Sequence, residues 1–350
     1  MIVELLTPAY EVAWLPWAVQ YFFLVGIAAS SSFWIAHCAF ANRPQWQALE
    51  TALIAVLLCS SLAAPVSLLA DLHQPARFWH FYAHFTPWSW MSLGAVLLPI
   101  FTLLSLATAL AWWLKKRVLW RWLSVLLVLS ALSILVYTGA EVMVLRSRPL
   151  WNTIFLPINF ALSAGLASIG ALLFIARFLP GGLQALPMHV VRGWSLSMGW
   201  ALCLSAGIWV IHGMVSPNRS FSAALELFST YPAWQLSFLA SVAGGVLIML
   251  MLAAPARFLQ NRLYSLIAAL VLLSAAWVFR WIIFMAVQGV PKYGAGLYLY
   301  SMPLGGDGLM GMLGVLGLTL AFIAVLTSLL TYFPAGYWQT RRSLSNVSLV

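Results

Sequence analysis

Apolar residues run along this chain in long unbroken stretches, with polar residues confined to the gaps between them. Nine such stretches cover about 17–40, 47–70, 89–114, 119–140, 152–177, 193–214, 233–255, 263–288 and 309–333, each near the roughly 20 residues that a helix needs to cross a bilayer. A segment surrounded by hydrocarbon has to satisfy its own backbone groups, so these stretches are expected to be helices. The short alternating strands of a β-barrel do not occur in the pattern. The expectation is an all-α membrane protein whose single polytopic domain spans about residues 1–340.

Composition sharpens this. Of 350 residues, 63% are hydrophobic and only 7% charged, whereas a soluble domain carries about a quarter charged residues. Too few charges are present to cover a water-facing surface, which excludes a soluble enzyme, a disulfide scaffold and a disordered chain. The net charge of +10 does not point to nucleic acid, because membrane proteins collect Lys and Arg in their cytoplasmic loops. Placing the N-terminus outside puts eleven of the 17 basic residues inside: Arg43, Lys115, Lys116, Arg117, Arg121, Arg177, Arg192, Arg257, Arg262, Arg341 and Arg342. The outer side then holds Arg77, Arg146, Arg148, Arg219, Arg280 and Lys292, with all the acids except Glu50. An N-out, C-in topology is expected, with residues 341–350 as a cytoplasmic tail. The N-terminus is acidic and lacks the basic region of a signal peptide, so insertion is assigned to the first span. Cys38, Cys59 and Cys203 all fall within apolar runs at no metal-binding spacing and read as small buried hydrophobes.

The outer loops are longer than the inner ones and rich in aromatic residues, and loops carry function more often than cores. The fourth span ends in YTGAEVMVLRSRPLWN, where Tyr137 and Glu141 share a helix face. A phenol and a carboxylate so placed can hydrogen-bond and deprotonate a quinol head group; they also suit an interfacial aromatic belt with a headgroup-level acid. Arg280 lies about eight residues, some 12 Å, before the outer end of the eighth span. A cation at that depth marks a functional site or a partner, acidic or carbonyl; Gln288 follows on the same face. In the first span, Gln20 and Tyr21 are polar enough to touch a ligand or to form a belt, and Gly26 onward reads as close helix packing. The segment DLHQPARFWHFYAHF gathers Asp71, His73, Arg77, His80 and His84. His80 and His84 have i,i+4 spacing, open to a metal, a haem or a proton relay, but an interfacial polar turn is the commoner outcome. His37 and Glu50, near the inner ends of spans one and two, are placed for proton passage or simply at the interface. Gly308, Gly311, Gly314 and Gly317 in the last span read as a ridge of tight helix contact, preceded by Asp307 as N-cap.

Together, DLHQPARFW with TPWSWMSLGA, then YTGAEVMVLRSRPLWN and FRWIIFMAVQG, resemble the NrfD/polysulfide reductase membrane-subunit family over about residues 10–330. Within it, the nine spans are most similar to the tetrathionate reductase branch. The resemblance implies two four-helix bundles plus a ninth, C-terminal helix in a bacterial inner membrane. It implies that quinol, menaquinone, is oxidised near the outer face. Electrons would pass to a ferredoxin-like iron–sulfur subunit and through it to a molybdopterin catalytic subunit, with no metal or haem in this chain. Carried over by motif, Tyr137 falls on the family's quinone-binding tyrosine, Arg280 on its eighth-span arginine, and Asp71 and Arg77 on its outer-loop acid and base. Three positions depart: Tyr21 stands where some members have a histidine, Ala18 where they have an asparagine, and His73 where glycine is usual.

The expected site therefore comprises Glu141 and Asp71 as proton acceptors, with Tyr137, Tyr21 and Gln20 around the quinol. Arg280 orients one of these or holds the bundle. The chain has no cysteine cluster to hold an iron–sulfur centre, so the electron must leave to another chain. Two other readings stay open at this point: a secondary transporter that binds a small anion at Arg280, and a purely structural membrane anchor.

Overall fold

The computed structural model describes residues 14–72, 74–216, 219–290 and 300–337. Among them, nine helices are long and apolar enough to cross a membrane. They are α1 (Pro16–Ala41), α2 (Gln47–Asp71), α3 (Trp90–Trp113), α4 (Arg117–Met143), α5 (Phe155–Ile175), α6 (Met188–Val215), α7 (Pro232–Ala253), α8 (Arg262–Trp281) and α9 (Leu309–Tyr332). Each coincides with one of the nine apolar stretches. The protein is an all-α membrane protein, and no strand occurs among the described residues.

The helices pack as two groups of four. In the first, α1 lies against α2 and α4, and α3 against α4 and α2; in the second, α5 lies against α6 and α8, and α7 against α8 and α6. The groups meet where α1 touches α5 and α8, and where α4 touches α5. Helix α9 stands outside both groups and packs chiefly on α2. Helix α1 is the hub: 72% of its apolar window is buried, against 11% for α7 and α9. Leucines such as Leu236, Leu239 and Leu250 on α7 and Leu313 and Leu316 on α9 face outward, as hydrocarbon permits and water does not.

Successive helices run antiparallel, so the structure has two rims. One, at the start of α1, gathers Leu15, Asp71, Met143, Phe155 and Gln288; the other, the basic rim, gathers Ala41, Glu50, Arg117, Arg177, Arg192 and Arg262. The basic rim is stitched by side chain to carbonyl: Arg121 donates to Ala39 at 3.1 Å, Arg177 to Arg262 at 2.7 Å and Arg192 to Ala254 at 2.7 Å.

Lipid tails are as apolar as leucine, so packing and polar contacts hold such helices together. Close approach is visible at Gly26, where a Cβ would come within 3.0 Å of Ala164 and 3.1 Å of the Arg280 guanidinium. The glycine ridge expected on α9 is only partly found. Gly311 abuts Trp17, but a Cβ at Gly314 or Gly317 would meet nothing within 4 Å among the described residues. At 3.6 residues per turn, a three-residue spacing winds around the helix instead of holding one face. The N-cap is Gly308, without a side-chain hydrogen bond, and not Asp307. Cys38 and Cys59 are buried, whereas Cys203 is exposed on α6; an apolar run that faces lipid on one side does not bury every residue in it. The expected tail and His73 lie outside the described residues.

Candidate functional site

The hub position of α1 brings Tyr21 against α4. The hydroxyls of Tyr21 and Tyr137 are 3.5 Å apart, a long contact for two phenols, and the residues are 0% and 3% exposed. One turn beyond Tyr137 on the same face, Glu141 interacts with its phenol. Glu141 is buried, and its Oε2 has no hydrogen-bond partner among the described residues. A buried carboxylate oxygen without a donor is costly in a folded chain. The Tyr137 ring is seated by Gly94 of α3: a Cβ there would overlap the ring carbons and hydroxyl. This glycine lies in the TPWSWMSLGA stretch, where the sequence pattern alone assigns it no part.

Asp71 closes α2 at the same rim and is near enough for its charge to act on Glu141. Its carboxylate accepts from the Leu15 amide at 3.0 Å. Leu15 is the N-cap of α1, which has no acid in its first turn and no cap from its own side chain. Asp71 thus caps α1 from another helix and complements its dipole. Arg77 sits apart, in an exposed turn at Pro75–Arg77.

Two candidates point elsewhere. Gln20 turns to α9 and donates to the Met312 carbonyl at 2.8 Å, leaving its Oε1 without a partner among the described residues. Arg280 is 1% exposed and reaches carbonyls: it donates to Phe22 at 3.1 Å, Phe160 at 3.1 Å and Ala276 at 2.9 Å, and to the Ser163 hydroxyl at 3.3 Å. Its guanidinium also lies over the Phe160 ring. These partners belong to α1, α5 and α8, the seam between the two helix groups. A cluster of Phe22, Phe160 and Phe284 fills that seam, on the face of α1 next to the one that carries Tyr21.

Gln288 holds the chain before α1 at both backbone atoms, accepting from the Trp14 amide and donating to its carbonyl, each at 3.0 Å. The motif RSRPLWN, to which the sequence pattern alone assigns no role, finishes α8. That helix ends in a π turn at Ile282–Ala286, which leaves carbonyls without helical donors. Trp151 donates its indole N–H to Ile283 at 2.8 Å, and Arg148 donates to Val287 and Val290, each at 3.0 Å.

His80 and His84 meet edge-on in an exposed segment, with ring centroids 5.8 Å apart. Among the described residues, no three His, Cys, Asp or Glu side chains gather to hold a metal. Glu50 is far from Tyr137, at the basic rim, where Trp112 donates to it at 2.9 Å and Arg117 pairs with it at 3.3 Å. His37 stacks on Trp46.

Residues 5–292 match the family described as Polysulphide reductase, NrfD. The chain belongs to the NrfD family. It is also 33% identical to a tetrathionate reductase subunit of Salmonella typhimurium (strain LT2) over 338 residues, covering 93% of this chain and 94% of that protein. Membership places Tyr137, Glu141 and Gly94 in an NrfD-family membrane protein, with the paired bundles and added ninth helix that the family resemblance implies.

Proposed function

We propose that this protein is the membrane subunit of a tetrathionate-reductase-type complex and that it oxidises quinol beside Tyr137 and Glu141. The observation that carries the reading is the buried Glu141 Oε2, an acceptor without a donor among the described residues, one helical turn from a phenol that Gly94 admits. A quinol hydroxyl is a donor of the kind that oxygen lacks. Bound there, quinol supplies two electrons and two protons and leaves as quinone.

The chain's own residues then divide the work. Glu141 accepts the two protons of the head group one after the other, handing on the first before it takes the second, as a general base, a role worth about 10²–10⁴ in rate. Tyr137 holds a ring oxygen by its hydroxyl, and Tyr21 backs Tyr137 from α1. Asp71, close to Glu141 at the rim, receives each proton next while it caps α1. Arg280 positions α1 through the Phe22 carbonyl, so Tyr21 keeps its place. The electrons leave to a ferredoxin-like iron–sulfur partner docked over this rim and reach a molybdopterin subunit through it. The rim with Asp71 faces the periplasm, and the basic rim the cytoplasm. Menaquinone is the proposed carrier.

The transporter reading is disfavoured by Arg280, four of whose five N–H donors are taken up by oxygens of the protein. A transported anion would have to break these bonds in the seam that joins the bundles. The test uses the intact complex with its partner subunits. Glu141→Gln is expected to slow quinol-driven reduction of the partner's cluster by about 10²-fold or more, with reduction by a soluble donor unchanged. An unaltered quinol-driven rate in Glu141→Gln would overturn the assignment.

A further inference from the structure

The opposite rim holds a second built feature, unrelated to quinol. A cavity of about 130 Å³ lies between the start of α2, the α3–α4 turn and the chain after α9, lined by Glu50, Trp112, Lys115, Arg117, Trp120 and Ala335 among others. That is on the order of ten times the least space that a water needs.

Its walls are electrostatically unbalanced. Lys115, Lys116, Arg117 and Arg121 crowd the N-terminus of α4, which has no acid in its first turn and no side-chain cap. Cations at the positive end of a helix dipole are unfavourable unless an anion accompanies them. The nearest acid, Glu50, is already committed through both oxygens, to Trp112 and to Arg117. Lys115 and Lys116 form no ion pair among the described residues. Trp120 is 1% exposed, yet its indole N–H has no acceptor among the described residues. Lys115 also adopts a positive φ of 53°, which favours glycine and costs a side-chain residue. It is held there against Gly336, whose amide donates to the Trp113 carbonyl at 2.8 Å.

We propose that this cavity binds a phosphate group, held by the Trp120 indole N–H, the Lys115 ammonium and the guanidinium N–H groups of Arg117 that Glu50 leaves free. The uncapped first turn of α4 adds backbone donors of the kind that bind phosphate at helix N-termini. The carrier is an anionic phospholipid head group, for which basic pockets between spanning helices are suited, or free phosphate. A bound phosphate also bridges α2, α4 and the segment after α9, and so ties the peripheral ninth helix to the first bundle.

The test uses the full chain in nanodiscs of phosphatidylcholine with a minor fraction of phosphatidylglycerol, followed by native mass spectrometry. Wild type is expected to retain one phosphatidylglycerol. Retention should weaken about tenfold, or about 1.4 kcal/mol, in Lys115→Gln and in Trp120→Phe. Lys116→Gln, which removes the same charge without lining the cavity, should retain the lipid as wild type does. If no lipid is retained but inorganic phosphate raises the melting temperature of wild type and not of Lys115→Gln, the site stands and its carrier is free phosphate. Equal losses in Lys116→Gln and Lys115→Gln would reduce the effect to general surface charge and overturn the site. So would equal retention and equal phosphate response in all four proteins.

Discussion

For single residues, the site depends on space as much as on charge. Gly94 has an ordinary backbone; what makes it necessary is the Tyr137 ring packed where a Cβ would stand. Gly94→Ala is therefore expected to displace the phenol and lower quinol-driven turnover about tenfold, as loss of a hydrogen bond worth about 1–1.5 kcal/mol would, while the helices stay intact by circular dichroism. Turnover equal to wild type would show that the ring's seat is irrelevant. Tyr137 and Glu141 were legible in the sequence because i,i+4 spacing fixes a shared face once the helix is known. Gly94 was not, since its meaning depends on a contact between α3 and α4 that no local pattern encodes. Gln20 shows the converse: next to Tyr21 in sequence, it lies about 100° around the helix and serves α9.

Among the helices, the eighth shows how a membrane protein compensates for irregular backbone. The π turn frees carbonyls that hydrocarbon cannot satisfy, and Trp151 and Arg148 supply the donors. Trp151→Phe should leave the Ile283 carbonyl unpaired and cost about 1 kcal/mol, read as a lowered melting temperature of the purified protein. An unchanged melting temperature would mean that the carbonyl finds another donor. Arg280 is the other device that joins one helix to its neighbours. Lysine cannot spread donors over Phe22, Phe160 and Ser163 at once. With interhelical hydrogen bonds in membranes averaging about 0.6 kcal/mol, Arg280→Lys should cost about 2 kcal/mol and loosen α1 from α5. A melting temperature equal to wild type would contradict this role. From sequence, Arg280 was visible as a buried cation with a partner to find. That the partners are helix carbonyls, and not an acid, emerges only when three helices are brought together.

Across the molecule as a whole, the nine apolar stretches read directly as nine helices, because length and hydropathy are properties of the chain alone. The grouping into two bundles came from family resemblance, since a uniformly apolar helix does not announce its buried face. Helix α9, apolar all round, packs chiefly on α2, meets Trp17 of α1 at Gly311 and leaves Gly314 and Gly317 outward. Orientation follows from charge: the basic rim is proposed to be cytoplasmic. Single cysteines placed at 116 and at 152, in a background lacking the native cysteines, should react with a membrane-impermeant maleimide in intact cells only at 152. The reverse pattern would invert the topology.

Docking of quinol where α3 and α4 meet at the Asp71 rim underlies every role proposed for Tyr137 and Glu141. Photolabelling of the intact complex with an azido-quinone, competed by excess quinone and followed by mapping of the modified peptides, probes that docking without an intervening kinetic step. Competed adducts are expected within about residues 88–94 and 137–144, and they should be lost in Gly94→Trp. Competed labelling confined to other helices, with these two stretches unmodified, would place the quinol elsewhere and refute the site.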